Sequence, residues 1–138
     1  MTPEQICHIR NSWSLMASST DDVALHFYNR LFELDPALRS LFASTDMQEQ
    51  GDKLVHMLSM IVRGVSDMPK LLPAVESLGR RHVAYGVTNG HYDTVETSLL
   101  WTFERVLGPG FSADAHESWR LAFGTLADVM KRSAGMVA

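Results

Sequence analysis

A chain of 138 residues suits one domain, 1–138, long enough to bury most of the surface that its unfolded form exposes. With 46% hydrophobic residues, 20% charged residues and a formal net charge of −4, it reads as an ordinary globular chain with no electrostatic case for nucleic acid. The apolar stretch 54–62 is broken by His56 and Ser59 and is far too short for a membrane span, and Cys7 stands alone, which excludes an internal disulfide and any Cys-rich metal site. The N-terminus lacks a signal-peptide core, so the expected location is the cytoplasm.

Helical periodicity runs through nearly every segment and strand-like alternation through none, which predicts an all-α fold. Thr2 caps a first helix, with Pro3 in its first turn and Gln5 reaching back as a capping box; Ile6, Ile9, Trp13 and Met16 then share a core-facing stripe. Residues 18–22 give a polar turn and the acidic start of a second helix. In it Val23, Phe27, Leu31 and Leu34 form one stripe and Tyr28 and Phe32 another, so contact on two sides is expected. Asp35 and Pro36 should cap and start a short helix ending near Phe42, the carboxylate accepting the free amides. Residues 43–48 read as a loop.

A helix over roughly 47–66 puts Gln50, Leu54, Met57 and Ile61 on one face. Gly64 and Asp67-Met68-Pro69 end it, and a helix from about Pro73 to Tyr85 aligns Val75, Leu78, His82 and Tyr85. Thr88-Asn89-Gly90 is a turn before two long helices. The first carries Val95, Leu99, Phe103 and Val106 up to Gly108-Pro109-Gly110, and the second, starting near Ser112, carries Trp119, Phe123, Leu126 and Met130. No repeat or long linker appears, and residues 133–138 are expected to fray.

Two polar residues sit on these apolar faces. His82 lies inward in Leu78-Gly79-Arg80-Arg81-His82-Val83-Ala84-Tyr85-Gly86-Val87. A neutral imidazole is a good axial ligand for iron, and Gly79 removes a side chain where something bulky approaches the backbone. Taken alone, such a histidine is more often a hydrogen-bonded core or surface residue. Gln50 is the polar member of its own stripe.

Over nearly its whole length the chain resembles the globin family. Ser12-Trp13, Phe27-Tyr28-Asn29-Arg30-Leu31-Phe32, Asp35-Pro36 through Leu41-Phe42, the His82 segment and Leu107-Gly108-Pro109-Gly110-Phe111 carry the likeness in order and separation. More narrowly, Leu78-Gly79-Arg80-Arg81-His82 followed by Tyr85-Gly86-Val87 looks like the neuroglobin-related bacterial single-domain globins, the Hell's Gate kind included. The resemblance implies a globin fold, a 3-over-3 helical sandwich around a haem pocket, with haem b held non-covalently because no Cys-x-x-Cys-His signature is present. It makes His82 the proximal ligand of the iron and Phe42 the aromatic residue on the porphyrin face. In neuroglobin-like chains the distal residue stands 32 positions before the proximal histidine, which is Gln50 here. Tyr28 falls over the distal side, Leu54 on the pocket wall, Lys53 near a haem propionate and Val87 against the macrocycle. Tyr92 resembles the proximal tyrosine of flavohaemoglobins, but the glutamate that completes their network aligns onto Ala134. Tyr92 is therefore expected to pack, and His82 to donate to a backbone carbonyl, with a weak peroxidase-like push.

The implied pocket holds two hydrogen-bond donors, Tyr28 and Gln50, facing a gas that gains negative charge at ferrous iron, so tight retention and slow O₂ release are expected. Glutamine stands where neuroglobin has an iron-binding histidine, which implies ferrous haem with an open sixth position; His56, six residues on, points elsewhere. His8, His26, His91 and His116 read as surface or cap residues, Trp101 and Trp119 as packing, and Cys7 as a free thiol. Two function classes remain. One is reversible binding of O₂, NO or CO, as in an oxygen carrier. The other is an enzyme, a nitric oxide dioxygenase or nitrite reductase, which needs electrons from a separate reductase because no flavin or nicotinamide domain is expected in the chain. Gas binding is the favoured reading, with no nucleic-acid or membrane partner.

Overall fold

The computed structural model describes residues 1–84 and 86–135, with all their side chains except those of residues 83 and 84. Among these residues there are six α-helices and no strand: α1 Pro3–Met16, α2 Thr20–Leu34, α3 Met47–Gly64, α4 Met68–Ala84, α5 Asn89–Leu107 and α6 Ala113–Ser133. Short 3₁₀ segments at Pro36–Phe42 and Gly108–Gly110 make two of the corners. No helix among the described residues is long and apolar enough to cross a membrane.

Local chemistry sets most of the helix starts. Thr2 accepts the Gln5 amide at 3.2 Å and its own amide donates to the Gln5 side chain at 2.9 Å, the reciprocal capping box that the sequence predicts. Asp46, inside the segment read as a loop, caps α3 by accepting the amides of Gln48 and Glu49 at 2.9 and 3.3 Å. Ser112 caps α6 through the Ala115 amide.

Three expectations need correction. The Asp35 side chain makes no cap hydrogen bond to the segment it precedes, where only its carbonyl accepts the Leu38 amide; the carboxylate lies across the fold, 3.8 Å from the His91 ring. The fourth helix starts at Met68 rather than Pro73, because Pro69 falls in the first turn, where no amide partner is needed, and Pro73 gives up only one bond near the helix start. Leu34 is 42% exposed, since the chain leaves the helix at the next residue and the buried stripe ends at Leu31. Tyr85, the last member of the His82 stripe, and residues 136–138 lie outside the described residues.

The helices pack as a 3-over-3 sandwich, with α1, α3 and α4 in one layer and α2, α5 and α6 in the other. The larger core runs between them through Ile9, Met16, Leu58, Phe103 and Trp119, all fully buried. Trp119 places its indole ring 4.8 Å from Phe103 and donates Nε1–H to Ser12 Oγ at 2.8 Å, and the Ser12 hydroxyl in turn meets the His8 and Ile9 carbonyls. This buried polar chain is satisfied at every member and ties α1 to α6.

A second, smaller cluster joins α3, α4, α5 and α6 through Ile61, Leu71, Val75, Tyr92, Leu126 and Met130. Here the sequence expectation for Gly79 acquires its object. A Cβ at residue 79 would stand 2.5 Å from the Met130 carbonyl oxygen and 2.7 Å from its Cα, so what approaches is the backbone of α6. Ser133 Oγ, 3.1 Å from the Glu76 carbonyl, fastens the same crossing. Gly79→Ala should therefore force two backbones apart and lower unfolding free energy by about 3 kcal/mol, as overpacking does. Gly124→Ala, at a helical site with nothing within 4 Å, should be neutral or slightly stabilising in the same urea titration.

Candidate functional site

The end of α4 presents His82, half-buried, with Nδ1 only 2.7 Å from the Leu78 carbonyl one turn back. The proton on Nδ1 donates to that carbonyl, which leaves the lone pair on Nε2. Burial holds the imidazole below its ordinary pKa, the carbonyl bond opposes this, and the Arg81 charge adds to the lowering. The ring is thus neutral at neutral pH, the form that ligates metals.

Across the fold, Tyr28 comes from α2 and Gln50 from the first turn of α3. They meet because of Gly51: a Cβ there would lie 3.1 Å from Ala24 Cβ, so the two helices cross almost backbone to backbone. One turn beyond Ala24, the Tyr28 hydroxyl sits 3.5 Å from the Gln50 carbonyl. Burial raises the Tyr28 phenol above its ordinary value, and the Gln50 side-chain amide pulls it back in part. Phe42, from the 3₁₀ corner, presents T-shaped contacts to Tyr28 and Phe32 with ring centroids 5.7 and 5.6 Å away. Leu54, a turn beyond Gln50, is buried in the same core, while Lys53 is exposed.

Val87 follows α4, its amide donating to the His82 carbonyl at 3.0 Å, and packs into the second cluster with Leu78 and Tyr92. Tyr92 is buried, its hydroxyl has no hydrogen-bond partner among the described residues, and burial raises its pKa. Tyr28, Gln50, Phe42 and Leu54 therefore form one group, His82, Val87 and Tyr92 stand along another, and Lys53 belongs to the surface. His56 is exposed on the outer side of α3.

This donor set fits haem better than a bare ion. Among the described residues no three His, Cys, Asp or Glu side chains gather to hold a metal, and one neutral imidazole holds iron firmly only when a macrocycle supplies the other ligands. The aromatic group on one side and the orphaned Tyr92 hydroxyl on the other suit a flat, mostly apolar guest with polar edges.

Six helices in two layers, with a half-buried histidine at the end of α4, make the architecture of a globin. The globin family model matches residues 25–130, and the chain belongs to that family of haem-binding proteins. Among curated relatives, the flavohemoproteins of Bordetella parapertussis and Bordetella bronchiseptica are each 29% identical over 94% of this chain, which spans only 33% of their length. An engineered carbene transferase from a candidate nitric oxide dioxygenase of Rhodothermus marinus superposes with a TM-score of 0.86 at 24% identity, covering 98% of this chain and 94% of that one. A hexacoordinated heme protein from an anhydrobiotic tardigrade gives 0.86 at 13% identity over 98% and 96% of the two chains. A bacterial globin from Campylobacter jejuni gives 0.81 at 24% over 97% and 96%. At these identities the structures share the fold.

Near the site the reading of His91 as a surface or cap residue takes a specific form, and one further feature escapes a linear reading. His91 acts as the third residue of a helix cap, its Nδ1 accepting the Thr88 amide at 3.0 Å while Nε2 faces Asp35. The spacing of Thr88 to His91 was the available signal, with histidine in the place usually held by Glu or Gln. A groove of about 650 Å³ also opens outside the α2–α3 crossing, lined by Tyr28, Phe32, Gly51 and Val55 among others. No local pattern announces it, because it arises from the crossing itself.

The two raised phenols give a pH dependence. Folded Tyr28 and Tyr92 keep their protons above the ordinary value of 10.0 at which they titrate in the unfolded chain, so the folded state binds more protons there and stability falls as pH rises past that value. A Tyr28→Phe, Tyr92→Phe double variant should lose less stability than the parent between neutral and alkaline pH in guanidinium titrations.

Proposed function

We propose that this chain is a haem b globin that reversibly binds O₂ and other diatomic gases such as NO and CO, retaining O₂ tightly through Tyr28 and Gln50. When bound, haem supplies the iron that takes the gas. His82 holds that iron through Nε2, with Nδ1 fixed by the Leu78 carbonyl so that the ring cannot turn away. Phe42 and Leu54 line the distal side and Val87 the proximal side, Lys53 reaches a propionate from the surface, and Tyr92 packs below. The chain fits the cytoplasm of a bacterium: the curated relatives are bacterial, and a lone exposed thiol at Cys7 suits a reducing compartment.

The observation that carries the reading is the meeting of Tyr28 with Gln50 beside Phe42. Burial keeps the Tyr28 phenol protonated and therefore a donor at neutral pH. Each donor to a gas that gains negative charge is worth about 1 kcal/mol or more in a dry pocket. Tyr28→Phe should accelerate O₂ dissociation about tenfold, the rate equivalent of about 1.4 kcal/mol. An unchanged rate in stopped-flow displacement by CO would remove the tyrosine from the mechanism.

The second reading is nitric oxide dioxygenation or nitrite reduction with a separate reductase. It is favoured by the flavohemoprotein relatives, which are about three times as long as the aligned region, and by the naming of the Rhodothermus marinus protein. The same two donors serve it. Mixing the O₂-loaded protein with NO and following nitrate over repeated cycles with a reductase decides between one reaction per loading and turnover.

A further inference from the structure

We infer that the outer groove between α2 and α3 is the access vestibule through which the gas reaches the distal pocket, with Tyr28 and Phe32 as its inner gate. The inference rests on the haem-pocket reading above. At about 650 Å³ and open to solvent, the groove is far larger than a diatomic gas requires. Leu25 and Met47, 58% and 36% exposed, stand at its rim, while Tyr28, Phe32 and Gly51 are buried and make its floor.

Directly behind that floor lies Phe42, with ring centroids 5.7 Å from Tyr28 and 5.6 Å from Phe32. One layer of two aromatic rings therefore separates the groove from the residue assigned to the porphyrin face. The Tyr28 hydroxyl is 3.5 Å from the Gln50 carbonyl, a long contact that gives up little when the ring turns, so the ring is held mainly by packing against Phe27, Phe32 and Phe42 and by the Gln50 side chain. Arg39 leans on Phe32 from outside, its guanidinium carbon 4.9 Å from the ring centroid. The charged wall residues are Asp21, Asp52 and Arg39, with His56 beside them, so with the histidine neutral the acidic charge is in excess, which favours a small neutral gas over an anion such as nitrite.

Tyr28 would thus serve twice, as donor to the gas and as half of the gate, so its own variants mix the two effects. Filling the groove separates them. Val55, half-buried in the groove wall, and Leu25, at the exposed rim, are replaced singly by tryptophan in the haem-loaded protein. CO association is then followed by flash photolysis, and CO dissociation by displacement with NO. The expected result is an association rate lowered about fivefold or more in Val55→Trp and less in Leu25→Trp, with the dissociation rate lowered by the same factor and affinity unchanged, since a blocked passage slows travel both ways. Phe32→Ala, which opens the gate, should raise both rates. Normal spectra with unchanged CO association in both tryptophan variants overturns the assignment, as does a loss of affinity in step with the slower association, which marks a distorted pocket instead. A parent protein that takes up no haem or no CO overturns the haem-pocket reading itself, a different failure from either.

Discussion

Helices can approach only as closely as their side chains permit, and this fold depends on two places where a glycine removes that limit. At Gly79 the backbones of α4 and α6 come within a distance that no Cβ could share, and Ser133 locks the contact through the Glu76 carbonyl. His82 follows one turn later on the same rigid segment. Its position relative to the core is therefore set by a crossing that has no chemistry of its own. The Leu78 carbonyl then fixes the ring about its own axis, so both the place and the orientation of the imidazole are decided by backbone.

Gly51 does the corresponding work on the other side. Bringing α3 against Ala24 is what lets a tyrosine from α2 reach a glutamine from α3, and the groove outside the crossing is the same geometry seen from solvent. On the proposed reading, function and access share one structural cause. Widening the crossing would separate Tyr28 from Gln50 and reshape the groove together, so the pocket cannot be tuned at this point without altering the way in.

The helices were legible in the sequence because periodicity and caps are local: Thr2 with Gln5, and the stripes of α1 and α6, appear as read. The errors arose where a local signal had two structural uses. Asp35-Pro36 carries the marks of a cap, yet the aspartate turns toward His91, fifty-six positions away in sequence. Pro73 carries the marks of a helix start, yet it sits in the second turn of a helix already begun at Met68. In the site, Gln50 and His82 stood out as polar members of apolar stripes, which depends only on spacing. The partnership of Tyr28 with Gln50, the role of Gly79 and the outer groove depend on crossings between elements, and no spacing within one helix encodes those.

The proximal side bears on which chemistry the pocket favours. A carboxylate acting on the far nitrogen of a ligating imidazole would make it strongly basic and help split an O–O bond. Here Nδ1 donates to a neutral carbonyl, burial keeps the ring uncharged, and the Tyr92 hydroxyl lies buried without a hydrogen-bond partner among the described residues. On the proposed reading the distal side would hold two neutral donors, Tyr28 and Gln50, and strong distal stabilisation with weak proximal push would suit holding a gas, or letting a held gas meet NO, better than breaking it; the choice between those two would then rest on electron supply.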